Sequence, residues 1–406
     1  MDIKFIDGGV TAPKGFKANG IHCGIRKNKE KKDLALIVCE KECDAAAVYT
    51  QNLVCGAPIT VTRENIRDGK ARAIVCNSGI ANTCNADGIK KAEMMCEITA
   101  KELGISKTDI VVASTGVIGQ PIDIEPIKNG MPKLVKGLNS NGSCDAAEAI
   151  MTTDTVKKEF ACEFSLGGKT CRIGAISKGS GMIHPNMATM LGFIVTDADI
   201  TAEMLKKSLV KVVKDSFNML SVDGDTSTND TVAVLASGLC QNERIETEND
   251  DFDDFTQALS AICEKLVKLM AKDGEGATKL VECAVSGAKD INTAKLCAKA
   301  VICSSLVKAA MFGADANWGR ILCALGYSGV DIDVNRVDVK FKSAGEEILV
   351  CKNGAGIEFS EDIAKKVLTE DEVYIIVSLN DGDETATAYG CDLTYDYVKI
   401  NGDYRT

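Results

Sequence analysis

Between residues 160 and 195 the chain carries a hairpin pattern, a glycine-rich loop and a further apolar run in direct succession, and this succession limits what can be built around it. Segments 160–164 and 170–176 are β-branched and apolar and flank Leu166-Gly-Gly-Lys169, the composition of a tight β-turn. The second arm runs straight into Lys178-Gly-Ser-Gly181, and 190–195 reads as another strand. On either side, short β-branched runs alternate with helical patterns. Residues 34–39, 71–76 and 109–113 read as strands, and 89–103 and 124–138 as helices. The expectation is a layered mixed α/β fold.

Downstream, helices are expected at 202–213, 254–271 and 293–311, with a polar loop at 223–230. Beyond residue 329 the chain turns β-rich, at 332–341, 348–351, 374–379 and 385–393, around a helix at 361–368. With 406 residues and 45% hydrophobic content the chain can bury a large core. Its length suggests two domains: a catalytic domain over 1–280 and a smaller β-rich α+β domain over 281–406.

Charge and composition narrow the function. A net charge of -11 argues against nucleic acid or an anionic membrane as partner, since both require clustered Lys and Arg. No apolar run approaches ~18 residues and the first residues lack a signal-peptide h-region, so the expected location is the cytoplasm. The 18 cysteines lie mostly in apolar runs, as Cys39, Cys76 and Cys303 do, and no Cys-x-x-Cys pair occurs. They are expected to be reduced packing residues, with no metal site.

Only His22 and His184 are present, so a nucleophile that depends on a histidine base is hard to assemble. Thr189 offers another route. It follows Lys178-Gly-Ser-Gly-Met-Ile-His-Pro-Asn-Met-Ala188 and opens a strand-like run, as an N-terminal nucleophile should. Cutting the Ala188–Thr189 bond would give Thr189 a free α-amine beside its own hydroxyl, nucleophile and base in one residue. An α-amine titrates near ~7.7–8.0 against ~10.4 for lysine, so it is the better base near neutrality without tuning. His184 could be imagined as that base, but loop histidines without such a role are commoner.

Other motifs have plainer readings. Ala113-Ser-Thr-Gly-Val-Ile-Gly119 ends a strand and could be a simple turn, or could expose the N–H and hydroxyl donors of an oxyanion hole. Gly167-Gly-Lys-Thr170 lacks the first glycine of a phosphate loop, where Glu163 stands. Asp223-Gly-Asp-Thr-Ser-Thr-Asn-Asp230 has Thr228 and Val234 where a calcium loop needs glycine and glutamate, and is better read as a hydrogen-bonded loop near the active site. Asp273-Gly-Glu-Gly-Ala-Thr-Lys279 follows a long helix; Gly274 could be its C-cap, or Glu275 could face a cationic ligand.

Taken with Gly8-Gly-Val-Thr-Ala-Pro-Lys-Gly-Phe16, Asn77-Ser-Gly79, Met151-Thr-Thr-Asp-Thr155, Asn317-Trp-Gly-Arg320 and Asn401-Gly-Asp-Tyr-Arg-Thr406, these motifs resemble the ornithine acetyltransferase family of arginine biosynthesis. The resemblance spans residues 8–406. It implies an N-terminal-nucleophile-like catalytic domain and self-cleavage before Thr189 into fragments of 188 and 218 residues. It also implies acetyl transfer from N-acetyl-L-ornithine to L-glutamate by double displacement. Matched to the family's motifs, Thr189 is the nucleophile, Thr115 and Gly116 line the oxyanion hole, and Thr152, Lys178, Glu275, Asn401 and Thr406 bind substrate. No cofactor is implied, acetyl-CoA stays open as a second donor, and the expected assembly is a heterotetramer of two cleaved pairs. The competing expectation is an N-terminal-nucleophile amidase or aminopeptidase with water as acceptor.

Overall fold

Apolar runs of the first half pair into a nine-stranded mixed sheet in the computed structural model, which describes residues 2–184 and 190–403. In chain order these strands are β1 (Lys4–Ile6), β2 (Phe16–Ile21), β3 (Leu34–Tyr49), β4 (Lys70–Ile80), β5 (Ile110–Val117), β6 (Lys158–Leu166), β7 (Lys169–Lys178) and β8 (Leu191–Thr196). The short β9 (Leu220–Ser221) leaves for a second sheet, and β10 (Thr231–Ala236) completes the first. The order is β1-β6-β7-β8-β10-β3-β4-β5, with β2 also on β3. The expected hairpin is there, with Leu166 paired to Lys169 and Glu163 to Arg172.

Every residue of β8 and β10 is buried, which is why both read as unbroken apolar runs rather than alternating ones. They sit between two cores. On one face small alanines of the helix Ser143–Ile150 approach Phe193 and Leu235; on the other lie Ile194, Val232 and Val234 with Leu205 and Leu259.

The second sheet runs β14-β13-β12-β15-β11-β16-β9. Its remaining strands are β11 (Leu280–Ala288), β12 (Asp338–Ser343), β13 (Glu346–Lys352), β14 (Ala355–Gly356), β15 (Glu372–Ser378) and β16 (Glu384–Cys391). The 23-residue helix Asp250–Lys272 packs on β6 and β7 of the first sheet and on β11 and β16 of the second. The Asn249 side chain accepts from Phe252 N at 2.9 Å, and Asp250, Asp251 and Asp253 complement the positive end of the helix dipole. Phe255, Leu259 and Leu266 project into the shared core, each contributing ~2 kcal/mol by burial.

Several expectations are corrected by local chemistry. The helix expected over 293–311 is two helices, Ile291–Cys303 and Ser305–Phe312, because the Ser304 hydroxyl caps the second by accepting from Val307 N. The strand expected at 332–341 begins only at Asp338, since the Asp333 side chain accepts from Asn335 N and winds Val334–Arg336 into a 3-10 turn. Cysteines 171 and 240 are joined in a disulfide, whereas all had been expected to be reduced; β7 and the chain leaving β10 bring their Cα atoms to 5.6 Å across 69 residues, a proximity no local pattern encodes. Asp197 is the third member of that cluster, but both sulfurs are engaged with each other. Among the described residues, no helix is long and apolar enough to cross a membrane.

Candidate functional site

Strand register brings three strand ends to one place. Lys178 ends β7 opposite Leu191, which starts β8. β8 and β10 run parallel with Leu191 beside Thr231, and Thr231 N donates to Met190 O at 2.9 Å. A cavity there is lined by Thr115 from the end of β5, by Lys178 and Gly181, by Met190, and by Asn229 and Asp230 from the approach to β10. Of the expected site residues, Thr115 and Lys178 therefore meet, and both are buried.

The turn after Thr115 is fixed by its neighbours. Gly116 has φ +130°, and a Cβ there would lie 2.2 Å from the carbonyl carbon of Gly79 on the adjacent parallel strand, so only glycine fits. Ser114 Oγ donates to Asn77 Oδ1 at 2.6 Å, and Asn229 Nδ2 donates to the carbonyls of Ala81 and Ser114 at 2.6 and 3.0 Å. Asn229 Oδ1 accepts from the hydroxyls of Thr83 and Thr228, both at 2.6 Å. With its amide satisfied on both ends, Asn229 ties the loop before β10 to the strand end that carries Thr115.

Under the glycine loop lies a buried ion cluster. Lys158 Nζ donates to Asp154 Oδ1 at 2.7 Å and to Asp273 Oδ2 at 2.5 Å. Asp154 also accepts from Gly179 N at 2.7 Å and Thr152 N at 3.0 Å. Asp273 accepts from the Thr155 amide and hydroxyl, and its own carbonyl accepts from Ser180 Oγ at 2.7 Å. Burial alone would raise the Asp154 pKa, but the ammonium groups of Lys158 and Lys178 more than offset it and hold the carboxyl well below its usual range. One lysine and two aspartates thereby lock segments 152–155, 179–181 and 273–275 together. Thr152 reaches the site through this cluster by its backbone, and is not among the residues lining the cavity.

Glu275 and Asn401 are brought together, as Asn401 Nδ2 donates to Glu275 Oε2 at 2.7 Å. Asn401 sits on the helix Tyr395–Gly402. Glu275 N donates to Ser180 O at 2.9 Å, and its carboxylate occupies the space a side chain at 181 would need: a Cβ on Gly181 would lie 2.3 Å from it. The last expected residue, Thr406, lies outside the described residues, as do Ala188 and Thr189.

Residues 182–184 are held from the side of β9. Asp223 accepts from Met182 N and Ile183 N at 2.6 and 2.9 Å, Val222 N donates to Ile183 O, and Thr226 Oγ1 donates to His184 O at 2.8 Å. His184 Nδ1 is 3.1 Å from Ser221 Oγ and 3.5 Å from Cys303 Sγ. Burial, aided by the charge of Lys299, pushes the His184 pKa down to about 4, so it is neutral near pH 7. Lys299 is itself pushed down to about 8 by burial, with its ammonium on the carbonyls of Asn218 and Leu220.

Sequence reasoning missed Lys158, and it treated Asp154, Asp223, Asn229 and Asp273 only as parts of motifs. Lys158 and Asp154 stand in the polar run 152–159 and Asp223 and Asn229 in the polar loop 223–230, so local composition gives them the look of a solvated loop and burial alone marks Lys158, Asp154 and Asn229 as groups in need of partners.

The ArgJ family pattern matches residues 17–406. The arginine biosynthesis bifunctional protein ArgJ of Caldanaerobacter subterraneus subsp. tengcongensis is 49% identical over 405 residues, covering 100% of both chains. The protein of the same name from Bacillus subtilis is 47% identical over 403 residues, covering 99% of this chain and 97% of that one. A crystal structure of the arginine biosynthesis bifunctional protein ArgJ from Bacillus halodurans aligns with a TM-score of 0.51 at 47% identity, covering 53% of this chain and 100% of the solved one.

Proposed function

The chain belongs to the ArgJ family, and from that premise we propose that it transfers the acetyl group of N2-acetyl-L-ornithine to L-glutamate through an acetyl-Thr189 intermediate. The observation that carries this reading is the cavity in which Thr115 and Lys178 face Met190, the residue bonded to Thr189. Self-cleavage at Ala188–Thr189 supplies the amine. The Thr189 hydroxyl attacks the acetyl carbonyl, the amine takes the hydroxyl proton, and the Thr115 hydroxyl and Gly116 N–H hold the oxyanion, each donor worth ~3 kcal/mol of barrier. Ornithine leaves, and the glutamate amine attacks the ester.

Lys178, with donors from Thr152, Asn401 and Thr406, suits the substrate α-carboxylate. Its positive charge is felt by Asp154, Asp230 and Cys76, consistent with an ammonium standing at the centre of the site. Glu275 suits the side-chain ammonium of ornithine; Asn401 engages Oε2 and leaves Oε1 for that contact. No cofactor enters the scheme. Acetyl-CoA is proposed as a second donor; the relatives' names say bifunctional without naming the second activity.

The solved Bacillus halodurans chain accounts for 53% of this one, close to the fragment of 218 residues out of 406, about 54%, that a cut before Thr189 would release. That agreement supports a cleaved pair, two of which would form the heterotetramer. The test is mass under denaturing conditions, before and after mixing with acetylornithine. Two fragments divided at Ala188–Thr189, the second gaining one acetyl group, is the expected result; a single uncut chain would overturn it.

A further inference from the structure

Asp230 is a buried carboxyl for which the transfer scheme has no use. It is 2% exposed and lines the same cavity as Thr115 and Lys178. Its Oδ2 is buried and has no hydrogen-bond partner, although buried carboxyl oxygens are almost always partnered. Its backbone is pinned, because Asp230 O accepts from Thr50 N at 3.0 Å and Thr231 N holds Met190 O at 2.9 Å. The side chain therefore stays at the cavity wall. Burial raises its pKa well above the usual carboxylate range, and the opposing effects of Ser227, Lys178 and Thr50 only partly offset that.

Three chemistries thus line one cavity: a cation at Lys178, a hydroxyl donor at Thr115 and, at Asp230, a carboxyl that Ser227 and Thr50 engage while its Oδ2 has no hydrogen-bond partner. An N-acetyl amino acid carries three matching groups around its α-carbon, a carboxylate, an acyl oxygen and the nitrogen between them. We infer that Asp230 is a further catalytic residue, the proton carrier for the substrate nitrogen, while the Thr189 amine serves the hydroxyl.

The inference rests on the proposed acetyl transfer, and its proton balance closes over one turnover. As the C–N bond of the first tetrahedral intermediate breaks, the Asp230 carboxyl gives its proton to the departing nitrogen and becomes a carboxylate. Ornithine leaves with a neutral α-amine, and the Thr189 amine keeps the hydroxyl proton as an ammonium. When the neutral glutamate amine attacks the acetyl ester, Asp230 takes one proton from that nitrogen. The nitrogen keeps its second proton as the amide N–H, and the Thr189 ammonium returns the hydroxyl proton it took earlier to its own oxygen as the ester C–O bond breaks, so both groups end as they began.

The test compares two acetyl donors on Asp230→Asn. p-Nitrophenyl acetate loses a phenolate that needs no proton, whereas acetylornithine must lose an amine. The expected result is a variant that still cuts, is acetylated by p-nitrophenyl acetate within about twofold of the unsubstituted enzyme, and is acetylated by acetylornithine at least ~100-fold more slowly, the usual share of a general acid. Equal rates with both donors, or equal losses with both, would overturn the inference. If D230N is not cut, the unsubstituted enzyme decides. Its acetylation by acetylornithine should fall as pH rises through an ionisation that p-nitrophenyl acetate does not show, Lys178 being the charged group that acts on Asp230 in the cavity; identical pH profiles overturn the inference. Acetylation of the unsubstituted enzyme by the ester but not by acetylornithine would instead sink the transferase reading, and Asp230 with it.

Discussion

Asn401 donates its side-chain amide to Glu275 Oε2 at 2.7 Å across 126 residues of chain, tying the C-terminal helix to the loop behind the glycine segment. A hydrogen bond to a charged acceptor is worth ~1.5–3 kcal/mol. Asn401→Ala should release the Glu275 carboxylate, raising KM for acetylornithine about tenfold with little change in cutting. Steady-state kinetics and denaturing mass measured side by side would show both; an unchanged KM would remove Asn401 from the binding site.

Thr189→Ala removes the hydroxyl on which both cutting and transfer depend in the proposed scheme. The expected product is one uncut chain with no detectable transfer to glutamate. Electrophoresis and an acetylglutamate assay suffice, and a cut or active variant would end the mechanism.

Gly116→Ala forces a Cβ against the Gly79 carbonyl carbon at a backbone angle of φ +130°. Strain of this kind costs ~1–3 kcal/mol, and the turn must shift to relieve it. The expected outcome is a lower melting temperature together with a fall in kcat of about 100-fold or more, as the N–H donor is displaced. A loss of stability without a loss of kcat would separate Gly116 from the oxyanion hole.

Lys158→Met leaves the buried carboxylates of Asp154 and Asp273 facing each other without their shared cation. Breaking a buried pair typically costs ~3–5 kcal/mol. Denaturant unfolding should register a loss of that size, and unfolding at the unsubstituted midpoint would show the cluster to be dispensable.

His184 supplies a pH signature. Its folded-state pKa of about 4 lies below the ordinary value of 6.5, so the unfolded chain takes up a proton first as pH falls. Stability contributed by the neutral ring is complete above pH ~6.5 and is lost between there and pH ~4. The shift corresponds to ~3 kcal/mol at most, and partial exposure reduces this to ~1–2 kcal/mol. His184→Gln should flatten the stability curve in that window; a curve of the same slope would assign the loss to other groups.

Much of the architecture was legible because hydrophobic period and turn chemistry agree. The hairpin 160–176, the strand beginning at 190 and the long helix ending near 271 all appear where the pattern places them. The double burial of β8 leaves a readable trace in its apolar run, whereas β10, buried in the same way, was not among the expected strands. Long-range pairings were not legible. β9 joins a sheet whose other strands begin some 60 residues later, Cys171 bonds Cys240, and Lys158 finds Asp273 across 115 positions. Local propensity carries no term for such partners. Thr115, Lys178, Glu275 and Asn401 were named from motifs, whereas Asp230 and Asn229 looked like ordinary loop polarity, and only burial set them apart.

Strand order gives the proposed cut an outcome beyond catalysis. β8 and β10 lie between β7 and β3, so opening the chain between β7 and β8 assigns the two middle strands to one fragment and the strands on both sides to the other. Neither piece can then complete the nine-stranded sheet alone, and the first would expose two raw edges. The intact precursor reaches its fold as a unimolecular event; once nicked, any unfolded molecule must find a second body to return. Processing would therefore trade reversibility for activity, making recovery from denaturation depend on concentration after the cut and independent of it before.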